Sequence, residues 1–387
     1  MTRDISSFWT GLVVAIVGFF SSFPIYLQGV TAMGASPDQA ASALMAGAVS
    51  MGVAGIVLSL WTKTPASVAW STPGVALLAI SAPDYAGFAG AIGAFIAAAI
   101  LTIVAGFWKP LARPAQSIPA PITYAMLAGV LLALCFAPFH ALGVHPETAL
   151  PIVATWFIVG RFSRLFAVPA AVVMTLALIF LHNGGAISTP ERLLTFPTLI
   201  MPVFSWSAIV GLGIPLFIVT MATQNVPGIS VLASYGYKPD TGRMFSSVGA
   251  FSLLSAPFGA VATCVAAITA VMCAEENSHP DPKRRYLSAV WAGGFYCVFG
   301  IAAGLVTHVA SLAPALAMQT LAGMALINVF INSASAALED DTTREAAATT
   351  FLVTASGVTI LGLGGAVWGL IIGCSIHALR QRFGSAG

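Results

Sequence analysis

The chain has 387 residues, of which 58% are hydrophobic and only 7% are charged, far below the roughly 25% charged residues of a soluble domain. This composition excludes an ordinary soluble enzyme or binding domain and predicts an integral membrane protein. A formal net charge of +2, without a run of Lys or Arg, gives no indication of a nucleic-acid partner.

Apolar runs of about 20 residues between turn and charge signals predict fourteen transmembrane segments, although several are short for a full crossing. The first seven lie at approximately 8–30, 39–61, 65–81, 87–108, 119–138, 147–159 and 165–182. The other seven lie at approximately 206–235, 243–255, 258–273, 285–308, 312–333, 345–356 and 358–379. The first run is longer than a signal peptide and has no cleavage pattern, so it is predicted to stay as a span.

The basic residues support this count. With the N-terminus inside, fourteen of the fifteen Lys and Arg residues fall in cytoplasmic segments and only Arg192 falls outside. The fourteen are Arg3, Lys63, Lys109, Arg113, Arg161, Arg164, Lys238, Arg243, Lys283, Arg284, Arg285, Arg344, Arg380 and Arg382. With one segment more or fewer, the Lys and Arg residues would no longer fall mainly on one side of the membrane. The positive-inside rule therefore predicts fourteen segments with both termini cytoplasmic.

The third segment contains a predicted break, in the stretch TPASVAWSTPGVALLA (64–79). Residues Ser67 to Trp70 favour an extended strand, whereas Ser71, Thr72 and Pro73 are typical of a helix N-cap and first turn. Irregular backbone at membrane depth survives only where it lines a cavity enclosed by protein. A helix N-terminus there offers unpaired N–H groups and about half a positive charge, which suits an anion. An unbroken helix from Ser67 through Ala79 would make this prediction wrong.

Fourteen segments are twice seven, and an odd-numbered repeat is inverted in its second copy. The predicted repeats are residues 1–203 and 204–387. Segment ten echoes segment three, with Pro257 and then Thr263-Cys264 before a predicted helix from Val265 to Met272. Segment one is predicted to break at Pro24 and segment eight at Pro227-Gly228. Broken segments at matching positions of two halves indicate the central site of a transporter.

Several stretches resemble the BenE family of benzoate transporters. They are PASVAWSTPGVALL (65–78), PLFIVTMATQNVPGISVL (215–232), PFGAVATCVAAITA (257–270), NVFINSASAAL (328–338) and AAATTFLVTASGVTILGLGGAVWGL (346–370). The resemblance implies proton-coupled uptake of benzoate, with H⁺ as coupling ion, by a multi-pass protein of a bacterial inner membrane. It also implies an all-α fold of seven plus seven inverted segments, similar to nucleobase and sulfate transporters and often dimeric.

In that fold a core domain moves against a gate domain. Here the core is expected at about 1–112 and 204–309, and the gate at about 113–203 and 310–387. Two positions depart from related patterns. Gln224 stands where nucleobase transporters carry an acidic residue, and residues 259–265 read GAVATCV where many BenE relatives read GGHAINL. The proton coupling and the benzoate preference are therefore expectations of the family rather than of these residues.

A carboxylate is predicted to bind where the half-helices of segments three and ten meet. Backbone N–H groups or hydroxyls would come from Ser71, Thr72, Gly74, Thr263 and Cys264, unless these residues only cap the helices.

Further candidates lie on other segments. Gln224 and Asn225 are intramembrane amides, which bind substrate or hold helices together. Tyr26, Phe23 and Trp70 would contact an aromatic ring, although aromatic residues more often serve packing. Asn332, one turn after Asn328, marks a polar face of segment twelve.

No Asp or Glu lies in the interior of a predicted segment, so the sequence identifies no proton carrier. A His, a loop carboxylate or the substrate itself remain alternatives. A transporter of a nucleobase or inorganic anion, and an anion channel, are the competing functions. An enzyme is not predicted, because the segments carry no HExxH motif, paired carboxylates or Ser/Lys dyad. The five cysteines form no CxxC pair, so neither a metal site nor another cofactor is predicted.

Overall fold

The computed structural model describes residues 2–81, 86–108, 118–185, 195–314, 316–360 and 363–383. Lys109, Arg113 and Arg192, and the side chains of Arg3 and Arg382, lie outside this described part, so their predicted sides are not addressed. The first half contains α1 (Thr2–Phe20), α2 (Phe23–Ala32), α3 (Pro37–Thr62), β1 (Val68–Trp70), α4 (Thr72–Ile80), α5 (Gly87–Phe107), α6 (Ala120–Val144), α7 (Pro146–Phe162) and α8 (Ala167–His182).

The second half begins with a long helix, α9 (Trp206–Ser234). It continues with α10 (Thr241–Ser255), β2 (Thr263–Val265), α11 (Ala267–Ala274), α12 (Tyr286–Ile301), α13 (Ala303–Ser311), α14 (Ala317–Leu338), α15 (Arg344–Ala355), β3 (Thr359–Ile360), β4 (Leu363–Gly364) and α16 (Gly365–Phe383). Short 3₁₀ turns occupy Ala256–Phe258 and Pro282–Arg284. Every predicted segment therefore contains a helix.

Among the described residues, six helices are long and apolar enough to cross a membrane, or seven if a bent pair counts as one span. The bent pair joins Pro282–Ile301 to Ala303–Ser311 at an angle of 55°. The remaining segments are shorter or broken, so the prediction of fourteen crossings is neither confirmed nor contradicted by helix length. The structure is that of a mostly helical membrane protein.

The predicted break in segment three is confirmed. Residues 68–70 form β1, and α4 begins at Thr72 with Ser71 as its N-cap. β1 pairs antiparallel with β2 of segment ten, so that Val68 lies opposite Val265, Ala69 opposite Cys264 and Trp70 opposite Thr263. We call this strand pair the crossing. The half-helices α4 and α11 continue from its two opposite ends.

Segment one breaks as predicted, because α1 ends at Phe20 and α2 begins at Phe23 with Pro24 in its first turn. The predicted break of segment eight at Pro227-Gly228 is wrong. α9 runs through this point and instead contains two π-helical turns, Ile209–Gly213 and Met221–Asn225. A proline lacks an N–H group and its ring clashes with the carbonyl four residues earlier. Each π-turn lies just before a proline, Pro215 or Pro227, and widens the helix at that carbonyl.

Helix contacts repeat between the two halves. α3 packs along α12, and α10 packs along α5; α2 lies on α4, and α9 lies on α11. Counted as predicted segments, the first two contacts join segment two with eleven and segment nine with four. The other two join segment one with three and segment eight with ten. Each contact thus has an equivalent in which both segments are replaced by their counterparts, seven positions away, in the other half.

Several segments that were predicted to be cytoplasmic lie together in the structure. The Lys63 ammonium lies 4.6 Å from the centre of the Tyr286 ring, and the Arg243 guanidinium lies 5.2 Å from that of Trp61. Tyr237 donates a hydrogen bond to the carbonyl of Pro282. The loops after segments two, eight and ten therefore share one face.

A second group on segments thirteen and fourteen pairs Arg344 with Asp341, and Arg380 with Glu345. In the same loop, hydrogen bonds from Thr342 hold the pKa of Asp340 below its ordinary value. In this loop Asp341 thus pairs with a basic residue, and Asp340 accepts hydrogen bonds from a threonine.

We predict that Gly293→Ala destabilises the fold while Gly294→Ala does not. A Cβ at Gly293 would lie 2.5 Å from the carbonyl oxygen of Gly52 across the α3–α12 contact, whereas a Cβ at Gly294 meets no atom within 4 Å. The overpacked variant should lose about 1–3 kcal/mol. Thermal unfolding of both variants in detergent measures the difference, and equal midpoints would contradict the packing of α3 on α12.

Candidate functional site

The start of α4 is capped as the sequence predicts. The Ser71 hydroxyl oxygen accepts hydrogen bonds from the Gly74 N–H at 3.1 Å and from the Thr220 hydroxyl of α9 at 2.8 Å. The Ser71 N–H donates to the carbonyl of Ala262. The half-buried hydroxyl of Thr72, the next residue, has no hydrogen-bond partner among the described residues.

The start of the second half-helix differs from its prediction. The helix does not begin at Val265, because Thr263, Cys264 and Val265 form β2 and α11 begins at Ala267. The β-branched Thr263 and Val265 favour an extended backbone, and pairing with β1 supplies partners that the sequence does not reveal. Thr263 and Cys264 are therefore not at a helix N-terminus.

Both predicted residues of this strand are bonded to protein groups. The Thr263 hydroxyl lies 2.9 Å from that of Ser50, and its N–H donates to the Ser252 hydroxyl at 2.8 Å. The buried Cys264 thiol donates to the carbonyl of Ala69 at 3.3 Å. The side-chain polar groups of Thr263 and Cys264 are thus bonded to other protein groups and stabilise the crossing.

The N–H groups at the start of α11 are donors that sequence reasoning missed. The N-cap residue, Ala266, has no side-chain hydrogen bond to the helix, so the N–H groups of Ala267, Ile268 and Thr269 lack a capping partner. An alanine N-cap carries no capping signal, so no motif could have revealed this site. In the first turn of α11, the Thr269 hydroxyl accepts a hydrogen bond from the Ser67 hydroxyl at 2.8 Å.

The two helix starts lie at opposite ends of the crossing rather than at one point. Ser71 bonds to Ala262 at one end, and Ala266 bonds to Ser67 at the other. Four strand positions separate these pairs, a distance of about 13 Å at 3.3 Å per residue. One carboxylate can therefore contact only one helix start at a time.

Residues 220–225 of α9 contact both ends of the crossing. Thr220, just before the π-turn, contacts Ser71, and the Asn225 side-chain oxygen accepts a hydrogen bond from the Val265 N–H at 2.8 Å. The amide nitrogen of the fully buried Asn225 donates to the sulfur of Met221. Gln224, which directly precedes Asn225 in the sequence, is half-buried, and its amide has no hydrogen-bond partner among the described residues. Asn225 therefore holds the crossing, and Gln224 keeps its amide available.

The predicted aromatic residues form a packed cluster. The rings of Tyr26 and Trp70 lie 4.7 Å apart, and Phe19 contacts Trp70 and Phe23. The Tyr26 hydroxyl donates to the Ala43 carbonyl and accepts from the Val261 N–H. All four rings are buried, so they support the crossing from behind rather than line an open slot.

Asn332 lies apart from this set. It is exposed on α14, and it makes no hydrogen bond to any described residue.

The structure also contains an open cleft of about 1080 Å³. Its walls come from α2, the start of α3, α13 and the start of α14. They include Pro24, Leu27, Gln28, Asp38, His308 and Gln319. Pro24 lies two residues after Ser22, whose hydroxyl accepts a hydrogen bond from the Trp70 indole at 2.8 Å. The start of α3 lines the cleft, whereas the other end of α3, at Lys63, lies among the basic loops, so the cleft opens on the opposite face.

No group of three or more His, Cys, Asp or Glu residues within the described ranges could hold a metal ion.

Residues 2–379 match the family BenE, described as benzoate membrane transport protein. The chain belongs to the BenE family. Inner membrane protein YdcO of Escherichia coli (strain K12) is 34% identical over 364 residues, which covers 94% of this chain and 93% of that protein. Benzoate membrane transport protein of Acinetobacter baylyi (strain ATCC 33305 / BD413 / ADP1) is 28% identical over 370 residues, with coverages of 96% and 94%. Family members are membrane transporters rather than enzymes.

The fold of this BenE chain is similar to that of a solved anion transporter. The transmembrane domain of a cyanobacterium bicarbonate transporter, BicA, matches with a TM-score of 0.63 at 18% identity and covers 98% of both chains. At this identity the likeness concerns the fold alone.

We predict that Ser252→Ala destabilises the crossing and that Ser255→Ala, one turn later on α10, serves as its matched control. The Ser252 hydroxyl bonds to both the N–H and the carbonyl of Thr263, whereas the Ser255 hydroxyl bonds only to carbonyls of its own helix. Losing a buried partner of Thr263 should cost about 1–3 kcal/mol. The thermal midpoint should fall for Ser252→Ala alone; an equal fall for Ser255→Ala would show that hydroxyl loss in α10 is destabilising in itself.

Proposed function

We propose that this chain imports benzoate or a similar small aromatic carboxylate across a bacterial inner membrane by secondary active transport. The family match over residues 2–379 supports this proposal, as do two relatives whose names refer to benzoate transport and to an inner membrane. The observation that carries it is the crossing, where two half-helices begin inside the protein and α9 contacts both ends through Thr220 and Asn225.

We propose that the carboxylate binds at a helix start through neutral donors. Among the described residues, donors without a protein partner include the Thr72 hydroxyl, the Gln224 amide, the Ser71 hydroxyl proton and the N–H groups at the start of α11, with Gly74 shaping the start of α4. Helix N-termini attract anions without a basic side chain. Because the two starts are about 13 Å apart, the aromatic ring would extend along the crossing while the carboxylate contacts one of them.

The other predicted site residues take a supporting part in this proposal. Asn225, Thr263 and Cys264 fix the position of β2, and Tyr26, Trp70 and Phe23 pack behind β1. Asn332 is proposed to face the pathway on the gate side, as the sequence indicates.

Transport is proposed to proceed by alternating access in a seven-plus-seven inverted repeat with both termini cytoplasmic. The recurrence of helix contacts after seven segments supports the repeat, and the shared face of the basic loops supports the orientation. The proposed core and gate domains meet where α14 approaches α2, and the open cleft lies at this boundary. The cleft would then be the outer access route.

Proton coupling is part of the proposal, with the proton carrier left open among a His, a loop carboxylate and the substrate. Asp38 and His308 both line the cleft, so titratable groups lie on the proposed outer route.

We predict that Gln224→Leu weakens benzoate binding while the protein stays folded. Loss of one amide donor to a carboxylate should raise Kd roughly tenfold, measured by isothermal titration calorimetry on purified protein. Gln319→Leu removes the same group from the wall of the cleft and should leave Kd unchanged. Unaltered affinity in Gln224→Leu would remove this residue from the site, and absence of benzoate binding in the unaltered protein would contradict the proposed substrate.

We predict that proteoliposomes accumulate labelled benzoate when the outside is more acidic than the inside. A proton moving down its gradient with the substrate supplies the free energy of accumulation. Because benzoic acid crosses lipid in its neutral form, protein-free liposomes under the same gradient give the baseline. Protein-dependent uptake that ignores the gradient would contradict proton coupling without contradicting benzoate transport. Unlabelled nucleobases, bicarbonate and sulfate tested as competitors separate the alternative substrates.

A further inference from the structure

The Ser71 hydroxyl occupies an unusual position in the hydrogen-bond network of the crossing. A hydroxyl group has one donor and two acceptor positions. The Ser71 oxygen already accepts two hydrogen bonds, from the Gly74 N–H at 3.1 Å and the Thr220 hydroxyl at 2.8 Å. The hydroxyl proton is therefore the one hydrogen-bonding position of Ser71 that is still unused. No acceptor for this proton lies among the described residues.

Thr220 does not make the hydrogen bond within its own helix that several other buried threonines of this protein make. Five of them donate to the carbonyl four residues earlier in their own helix: Thr102, Thr175, Thr223, Thr320 and Thr350. Thr220, only 1% exposed, instead donates across to Ser71 on another segment. This bond is not required by helix geometry, because Thr223 on the next turn makes the ordinary one.

The close approach of α9 to α4 makes this bond possible. A Cβ at Gly74 would collide with the side chain of Leu216, which lies one turn before Thr220. Glycine at position 74 therefore lets α9 come near enough for Thr220 to reach Ser71.

We infer that Thr220 is a positioning residue that makes Ser71 an obligatory hydrogen-bond donor, so that the start of α4 accepts a carboxylate and rejects its neutral amide analogue. A carboxylate presents only acceptor oxygens, whereas an amide also presents an NH₂ group that needs an acceptor. With both acceptor positions of Ser71 filled, Ser71 offers that NH₂ group no acceptor in place of the water it loses, and discrimination against such mismatches is strong. This inference deepens the proposed function and rests on it.

The test compares benzoate with benzamide as competitors of labelled benzoate, bound to the purified full-length protein. In Thr220→Val one acceptor position of Ser71 is freed, so the ratio of the benzamide to the benzoate inhibition constant should fall roughly tenfold. Thr220→Ser keeps the hydroxyl and should keep the ratio. Thr223→Val, which removes a hydroxyl bonded only within its own helix, is the matched control and should also keep it.

The ratio separates specificity from a merely structural effect. A Thr220→Val variant that weakens both compounds equally would overturn the inference, as would an unchanged ratio. If Thr220→Val does not fold, Thr220→Cys replaces it: the thiol is a weak donor of similar size, and the ratio should fall to an intermediate value. Failure of the unaltered protein to bind benzoate would instead contradict the proposed function.

Discussion

The structure depends on satisfying the backbone polar groups of two short strands that cross within an apolar protein. An unpaired N–H or carbonyl at this depth has no water to bond to. The inner edges of β1 and β2 pair with each other, and the outer edge of β2 is satisfied by Ser252 and Asn225. Because those partners come from α10 and α9, the crossing can form only when helices distant in sequence have assembled.

This constraint also determines the chemistry available at the site. The side chains that hold the crossing are uncharged: hydroxyls, one amide and one thiol, namely Ser50, Ser67, Ser71, Thr220, Asn225, Ser252, Thr263, Cys264 and Thr269. A buried charge would carry a large desolvation cost, whereas neutral donors at helix starts attract an anion without it. The same network leaves Thr72 and Gln224 with polar groups not used by the fold, which is why the proposed binding roles fall on them.

Residues that sequence reasoning grouped together as ligands thus divide into two kinds. Tyr26 and Asn225 bond to backbone groups and Thr263 bonds to the Ser50 hydroxyl, so their substitution would affect stability and binding together. Thr72 and Gln224 have no such partner among the described residues. The distinction matters for reading mutations in this family, since loss of transport at the first kind does not by itself identify a substrate contact.

The sequence by itself determined the membrane class, the break before Thr72, the break near Pro24 and the family. Composition, capping hydroxyls and prolines act locally, so they can be read without knowledge of distant residues. The tertiary structure alone decided that Thr263 and Cys264 lie in a strand, that α9 passes Pro227 through a π-turn, and that Thr220 reaches Ser71. The strand and the Thr220 contact depend on a partner far away in the chain, β1 for β2 and α4 for α9, whereas Pro227 is locally compatible with either a break or a π-turn. Local propensity at Thr263 is compatible with a strand or a helix start, and only pairing across the crossing selects between them.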